Sequence, residues 1–360
     1  MPKPGIAGLP ISFIAASVVS LALYILMGYF ISRHQTTELL LIYLLLFCSY
    51  MWLLHSAQQT NFQALFALAI IFRLSLFASL PQLSDDLYRF IWDGRLWAQG
   101  INPFIHPPVY YLENPHLNLR GLDQSLFDKL NSPAYFSVYP PVNQFVFWIS
   151  AWVFPYNILG SAMVMRSLAL AAEIGIFYLI KKLLLHLKLP PENLFIYALN
   201  PLVILELTGN LHTEVYMILF LLYSIYLLIR TRTIGSAISM ALAVGSKLIP
   251  LIILPLMISR LWFKKMVIYY LAAGLSILLL FIPFISGELL EGMGSSLSLY
   301  FQKFEFNASV YYIVREIGYW VKGYNIIESS GKWMAMATFL GIISYTVWDG
   351  FKKPALPFSL

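Results

Sequence analysis

The chain has 360 residues, is 59% hydrophobic and only 11% charged, and has a mean hydropathy of +0.74. A soluble domain carries about 25% charged residues, so this composition excludes one and points to a polytopic membrane protein. The formal net charge of +6 is the basic loop excess of such proteins and gives no support for a nucleic-acid partner; the single cysteine, Cys48, excludes an internal disulfide framework or cysteine metal site.

Apolar runs of membrane-spanning length are read near residues 11–32, 38–55, 62–80, 138–155, 161–182, 193–208, 213–230, 234–258, 266–285 and 332–349. The expected fold is therefore all-α, with about ten membrane helices or half-helices. The first run is too long for a signal-peptide core and lacks a small-residue cleavage site, so it is read as a retained helix. Residues 81–137 form a long helical loop after the third span, and 286–331 form a second large loop. No internal repeat or low-complexity linker divides the chain, so 1–360 is read as one integral membrane domain.

The loop opens on Ser84-Asp85-Asp86. Paired carboxylates at a membrane boundary are costly unless they bind something. A helix beginning near Leu83 brings Asp86, Arg89 or Phe90, and Asp93 to one face, with Ser84 as N-cap and the acids favoured by the helix dipole. The chemical alternative gives one aspartate the role of general base and the other that of holding a cation or orienting it. Tyr139-Pro140-Pro141 starts the next span, where proline is ordinary.

Glu206, Asn210, His212 and Glu214 crowd a polar tip between two apolar runs. This set suits hydrogen bonding to a sugar or phosphate better than metal ligation, since no HExxH-type spacing exists. Lys247 lies within an apolar run beside Gly245-Ser246 and Pro250, where an ammonium needs an anion or a path to the interface; a lipid phosphate is the attractive partner. Arg166 and Glu173, seven apart on one helix face, are read as serving each other or neighbouring helices. Asn307-Ala308-Ser309 is formally a glycosylation sequon, and Arg315 follows it.

Charge and span order conflict. Lys3, Lys352 and Lys353 suggest cytoplasmic ends, which places Asp85-Asp86 outside after three spans. Counting onward also puts Lys181, Lys182, Lys188, Arg230 and Arg232 outside, against the positive-inside rule. One segment between 138 and 182 must fail to cross, and Pro140-Pro141 single out 138–155.

In their order, these motifs resemble the GT-C superfamily of polytopic glycosyltransferases, and most closely the catalytic subunit of GPI mannosyltransferase I and its bacterial relatives. The acidic motif with its following helix is similar to Asp85-Asp86-Leu87-Tyr88 through Asp93, and Gly-x-x-Pro-Tyr to Gly100-Ile101-Asn102-Pro103-Phe104. Tyr139-Pro140-Pro141, Asn200-Pro201-Leu202, Gly209 to Glu214, Lys247 to Pro250 and Asn307 to Tyr311 follow in the same sequence. The chain departs from the family in having adjacent aspartates rather than Asp-x-Asp, and Phe304-Glu305-Phe306 in place of basic residues and histidine.

The resemblance implies an inverting transferase moving a sugar, expected to be mannose, from a polyprenyl-phosphate donor to a hydroxyl of a lipid or glycan acceptor. It implies Asp85 and Asp86 as catalytic residues, Asp85 matching the family's first aspartate. Asp93, Tyr139, Asn210, His212, Glu214, Lys247, Asn307 and Arg315 are the expected substrate-binding residues. No cofactor is expected. The short length fits a bacterial relative in the cytoplasmic membrane, with the site on its outer face. The competing reading is a transporter or flippase with Arg166, Glu173, Glu206 and Lys247 lining a charged path. A non-catalytic subunit is a third reading, but it leaves the aspartate pair without a task.

Overall fold

The computed structural model describes residues 9–57, 61–287 and 309–352, and among these it contains helices and no strand. Three helices open the bundle: α1 (Ile11–Tyr29), α2 (Thr36–Ala57) and α3 (Phe62–Ser75). α4 (Asp86–Ala98), α5 (Pro108–Glu113) and α6 (Gln124–Phe127) follow within the long polar stretch. Then come α7 (Pro141–Val153) and α8 (Ile158–His186). Two short helices, α9 (Leu194–Ala198) and α10 (Pro201–Val203), lead into a π-helical segment, Ile204–Gly209. The chain continues through α11 (Glu214–Ile229), α12 (Thr233–Ser246), α13 (Leu256–Arg260) and α14 (Phe263–Phe281). α15 (Ser309–Lys322) and α16 (Ile327–Lys352) complete the described chain.

By length and composition, α1, α2 and α14 are apolar enough to cross a membrane, and the bent pair Pro201–Gly209 and Glu214–Ile229 is a fourth candidate. The expected segments 193–208 and 234–258 are broken. Pro201 restarts the first after Asn200, whose side chain accepts from the Leu202 N–H, and the second leaves helical geometry at Lys247 before Pro250.

The polar residues of α3 and α8 fix the register between them. Just past α3, the carbonyls of Phe77 and Ser79 accept from Arg166 Nη1 at 2.6 and 2.9 Å. Inside α3, Arg73 forms a two-pronged pair with Glu173, with Nη2 to Oε1 at 2.7 Å. At the start of α3, Lys181 lies 4.4 Å over the Phe62 ring. The two helices are thus antiparallel, and Ile158 lies at the end of the bundle that carries Asp85 and Asp86. Residues Lys181 to Lys188 lie at the other end. α8, at 29 residues, is about 43 Å long and runs the depth of the bundle.

α7 begins at this same acidic end. Asn143 Nδ2 donates to Thr213 Oγ1 at 3.1 Å and to the Ser246 carbonyl at 2.8 Å, and Thr213 follows the Gly209 that Arg166 also holds. Both ends of α7 therefore lie at one end of the bundle, and at 13 residues it is too short to run its depth. Instead it lies against α4, with Phe90 stacked on Phe147 at 4.5 Å and the Phe147 carbonyl directly beneath Gly94. This removes the conflict in the charge count: Lys181, Lys182 and Lys188, and after α11 Arg230 and Arg232, lie at the end opposite the aspartates.

Among the described residues, the two largest of four apolar clusters hold the part of the bundle that carries the site. One joins α1, α2 and α3 to α9 through Tyr24, Leu46, Leu65, Phe72 and Phe195. The other joins α4, α7, α8 and the start of α11 through Phe90, Trp92, Phe147, Met165 and Val215.

Candidate active site

Asp85 occupies the N-cap position of α4 but makes no side-chain cap hydrogen bond; the Asp86 N–H instead reaches Ser84 Oγ at 3.3 Å. Freed from capping, the Asp85 carboxylate pairs through Oδ2 with Arg33 Nη2 at 2.6 Å. Arg33 comes from the turn between α1 and α2, and its own N–H donates to the Gln82 carbonyl, closing that turn over the acidic loop. Asp86 accepts from Asn131 Nδ2 through Oδ1 at 2.7 Å. Each aspartate thus keeps one carboxylate oxygen without a protein donor among the described residues. Burial, and then the Asp85 charge, raise the phenol of neighbouring Tyr88, whose face carries the Lys129 ammonium at 5.5 Å.

Asp93 lies on α4 but away from any opening. It is fully buried, and its carboxylate accepts from Arg89 Nε at 2.8 Å, Ser137 Oγ and Gln144 Nε2. Expected among the substrate-binding residues, it ties the loop to the helix. Tyr139 packs edge-on against Phe90 and Phe147.

The polar tip is built by a break in helical geometry. In the π-helical turn the Asn210 N–H reaches the Leu205 carbonyl at 2.7 Å, and Leu211 takes φ +60°, a strained conformation for a bulky residue. The segments on either side meet at 113°. Arg166 secures the turn from below, giving Nε to the Thr208 carbonyl at 2.8 Å and Nη2 to Gly209 at 3.1 Å. On the tip, Glu206 Oε2 accepts from Asn210 Nδ2 and meets His212 Nδ1, each at 3.2 Å, and Tyr43 of α2 also reaches Glu206. His212 Nε2 has no protein partner among the described residues.

Lys247 has its anion within the fold: its ammonium contacts Glu214 at the start of α11. The pair stands beside Asn143, which donates to the Thr213 hydroxyl next to Glu214 and to the Ser246 carbonyl next to Lys247. Arg315 lies over the Tyr312 ring at 4.5 Å on α15. Asn307 lies outside the described residues.

The acidic loop and the tip border shared space. Gln82 and Leu83 line one small cleft with Gly209 and Asn210, and Phe90 of α4 lines another with His212 and Thr213. Asp85, Asp86, Asn210, His212, Glu214 and Lys247 are therefore gathered at one end of the bundle. Arg33, Glu206 and Asn131 join them, and sequence reasoning did not single out Arg33 or Asn131: nothing local ties either to an aspartate dozens of positions away. Arg166 and Glu173 do not line a path. Both are fully buried, Glu173 with Arg73 and Thr208, Arg166 with four backbone carbonyls. Among the described residues no cluster of three His, Cys, Asp or Glu could hold a metal ion.

Residues 11–263 match a family model described as alpha-(1→6)-mannopyranosyltransferase, N-terminal domain. Over 237 residues the chain is 26% identical to alpha-(1→6)-mannopyranosyltransferase A of Mycobacterium tuberculosis, a stretch covering 63% of this chain and 44% of that protein. The match thus spans less than half the length of this relative. No solved structure matches the chain.

Proposed function

The chain belongs to the alpha-(1→6)-mannopyranosyltransferase family, and from that premise we propose that it transfers a mannosyl group from a polyprenyl-phosphate donor to a hydroxyl of a lipid or glycan acceptor. The reaction is a single displacement with inversion. A donor of beta configuration then gives the alpha linkage that the family description names.

The observation that carries the reading is the pair of half-satisfied carboxylates at the head of α4, beside the polar tip. The acceptor hydroxyl approaches the anomeric carbon from the face opposite the phosphate. Asp85 or Asp86 takes its proton through the free oxygen as the new C–O bond forms, a contribution of about 10²–10⁴-fold. The bond from the anomeric carbon to the phosphate oxygen breaks, and its electrons leave with the polyprenyl phosphate. That developing charge requires donors already aimed at it. His212 fits in its imidazolium form, which gives Nδ1–H to Glu206 and has Nε2–H left to donate to the leaving phosphate. Asn210, Glu214, Tyr139 and Asn307 are assigned to sugar and acceptor, and Arg315 to the phosphate. The polyprenyl tail lies in membrane lipid along the bundle.

The positive-inside rule places the basic end, with Lys181, Lys182, Lys188, Arg230 and Arg232, in the cytoplasm, and hence the site on the outer face of a bacterial cytoplasmic membrane. Radiolabelled polyprenyl-phosphate mannose, supplied to membranes carrying this chain, tests the function. Label should pass to a glycolipid with wild type and not with the Asp85→Asn, Asp86→Asn double variant; equal transfer by both sinks the reading.

A further inference from the structure

Donor-phosphate binding needs a cation with donors to spare, and the buried arginines and the part-exposed Lys247 around the site have theirs largely committed. Arg73 serves Glu173 and two carbonyls, and Arg166 serves four carbonyls. Arg89 gives two of its nitrogens to Asp93 and to the carbonyls of Ser132 and Tyr135, and Lys247 meets Glu214. Arg89 Nη2 and Arg95 Nε and Nη2 also have no partner among the described residues, but both residues are buried, whereas Arg33 is open to solvent. Its side chain is 48% exposed, and Nη2 touches the Asp85 carboxylate while Nε and Nη1 have no partner among the described residues.

The geometry points to Arg33 as a donor-phosphate residue that exchanges Asp85 for the phosphate, so that donor binding releases the base. The inference rests on the proposed transferase reaction and adds to it a ligand for the phosphate and an order of events.

Three physical facts carry it. First, an exposed ion pair is weak, so leaving Asp85 costs Arg33 no more than a several-fold loss of phosphate affinity, which a bidentate phosphate outweighs. Second, a phosphate offers the guanidinium fork two oxygens and more charge than one carboxylate oxygen, a stronger, bidentate partner. Third, displacement in line sets the base and the leaving phosphate on opposite faces of one sugar ring. A long side chain rooted beside Asp85 can reach from one to the other. Its root stays fixed while the tip moves, because the Arg33 N–H holds the Gln82 carbonyl. In the resting protein Arg33 occupies Asp85 Oδ2; with donor bound, both oxygens are free for the acceptor hydroxyl. Donor should therefore bind before acceptor is activated.

The test uses purified full-length protein and polyprenyl monophosphate, a probe that carries no sugar and needs no turnover. Binding is read as ligand-dependent thermal stabilisation. Arg33→Gln should raise the dissociation constant at least tenfold, and Arg33→Lys, which keeps the charge without the fork, should lie between. Asp85→Asn should bind polyprenyl phosphate several-fold more tightly than wild type, because Arg33 is no longer held, while transferring nothing. A merely structural Arg33–Asp85 clip predicts no gain in Asp85→Asn. Unchanged affinity in Arg33→Gln overturns the assignment, and unchanged affinity in Asp85→Asn overturns the exchange. Inorganic phosphate and phosphatidylglycerol vesicles form the control arms. Stabilisation by either that is equal to that by polyprenyl phosphate makes the site a general anion site and overturns its link to the donor. Failure of the transferase reading looks different: wild type would bind polyprenyl phosphate through Arg33 yet move no mannose.

Discussion

Gly94→Ala tests whether the acidic pair depends on how closely α4 lies on α7. A Cβ on Gly94 would stand 2.3 Å from the Phe147 carbonyl oxygen and 2.6 Å from its carbon, whereas ordinary contact begins at 3.4 Å. Both atoms are backbone, so no rotamer change relieves the clash and the two helices must part by roughly 1 Å. Overpacking of this kind costs about 1–3 kcal/mol. Asp86 begins the same helix two turns earlier, so the shift reaches the carboxylates, and a displacement of about 1 Å at a reacting group can cost about 10²-fold in rate. The expected result is a folded protein, melting a few degrees lower, with transfer from polyprenyl-phosphate mannose reduced about a hundredfold. Gly274→Ala on α14 is the matched control. Its Cβ meets nothing within 4 Å, and alanine in a helix interior should stabilise by about 0.5–1 kcal/mol without changing transfer. Wild-type activity in Gly94→Ala, or an equal loss in both variants, would refute the argument from close approach.

Glu173→Gln should destabilise by about 3–5 kcal/mol, since it leaves Arg73 fully buried without its anion, and Arg73→Met with Glu173→Leu should recover most of that loss; chemical denaturation in detergent measures both. The exposed Lys247–Glu214 pair should show a coupling of at most about 1 kcal/mol in a double-mutant cycle, and a larger value would mean that the pair is dry when folded. In a Cys48→Ala background, an impermeant thiol reagent applied outside should label Gln124→Cys in intact cells and Arg232→Cys only after the membrane is opened; the reverse pattern inverts the topology. The Asp123 carboxyl is held below the usual carboxylate range by the Ser125 hydroxyl and then by the Leu126 N–H and Arg95. Its capping of α6 is therefore present above the unfolded value of about 3.9 and is lost as pH falls through the lowered one. Limited proteolysis around residues 120–130 should accelerate only at that acid limit, and Asp123→Ala should cleave quickly at neutral pH.

The sequence carried the helical class, because runs of apolar residues leave no other way to satisfy a backbone in lipid. It also hinted at the short segment: five basic residues on the wrong side of a count, with Pro140-Pro141 at its start, pointed to 138–155, and α7 there has both ends at one end of the bundle. Side-chain partnerships were less legible. Arg166 and Glu173 do share a helix face, but their partners are carbonyls at 77, 79, 208 and 209 and an arginine 100 positions away. No local spacing encodes such pairings, which arise only when three helices converge. Arg33 was missed for the same reason, since it is ordinary in a turn between two spans until the 82–86 loop folds back against it.

Arg166 also constrains how the protein can be made. On a lone helix entering lipid, an arginine at depth costs about 2.5–3.5 kcal/mol even on the mildest scale, and Glu173 adds a second charge to the same helix. Two of the four carbonyls that satisfy Arg166 belong to residues synthesised earlier, but Thr208 and Gly209 emerge some forty residues later. Until the π-helical turn is made, α8 lacks two of the four acceptors of Arg166, so a chain stopped before Thr208 should hold α8 less firmly than one that extends past Gly209.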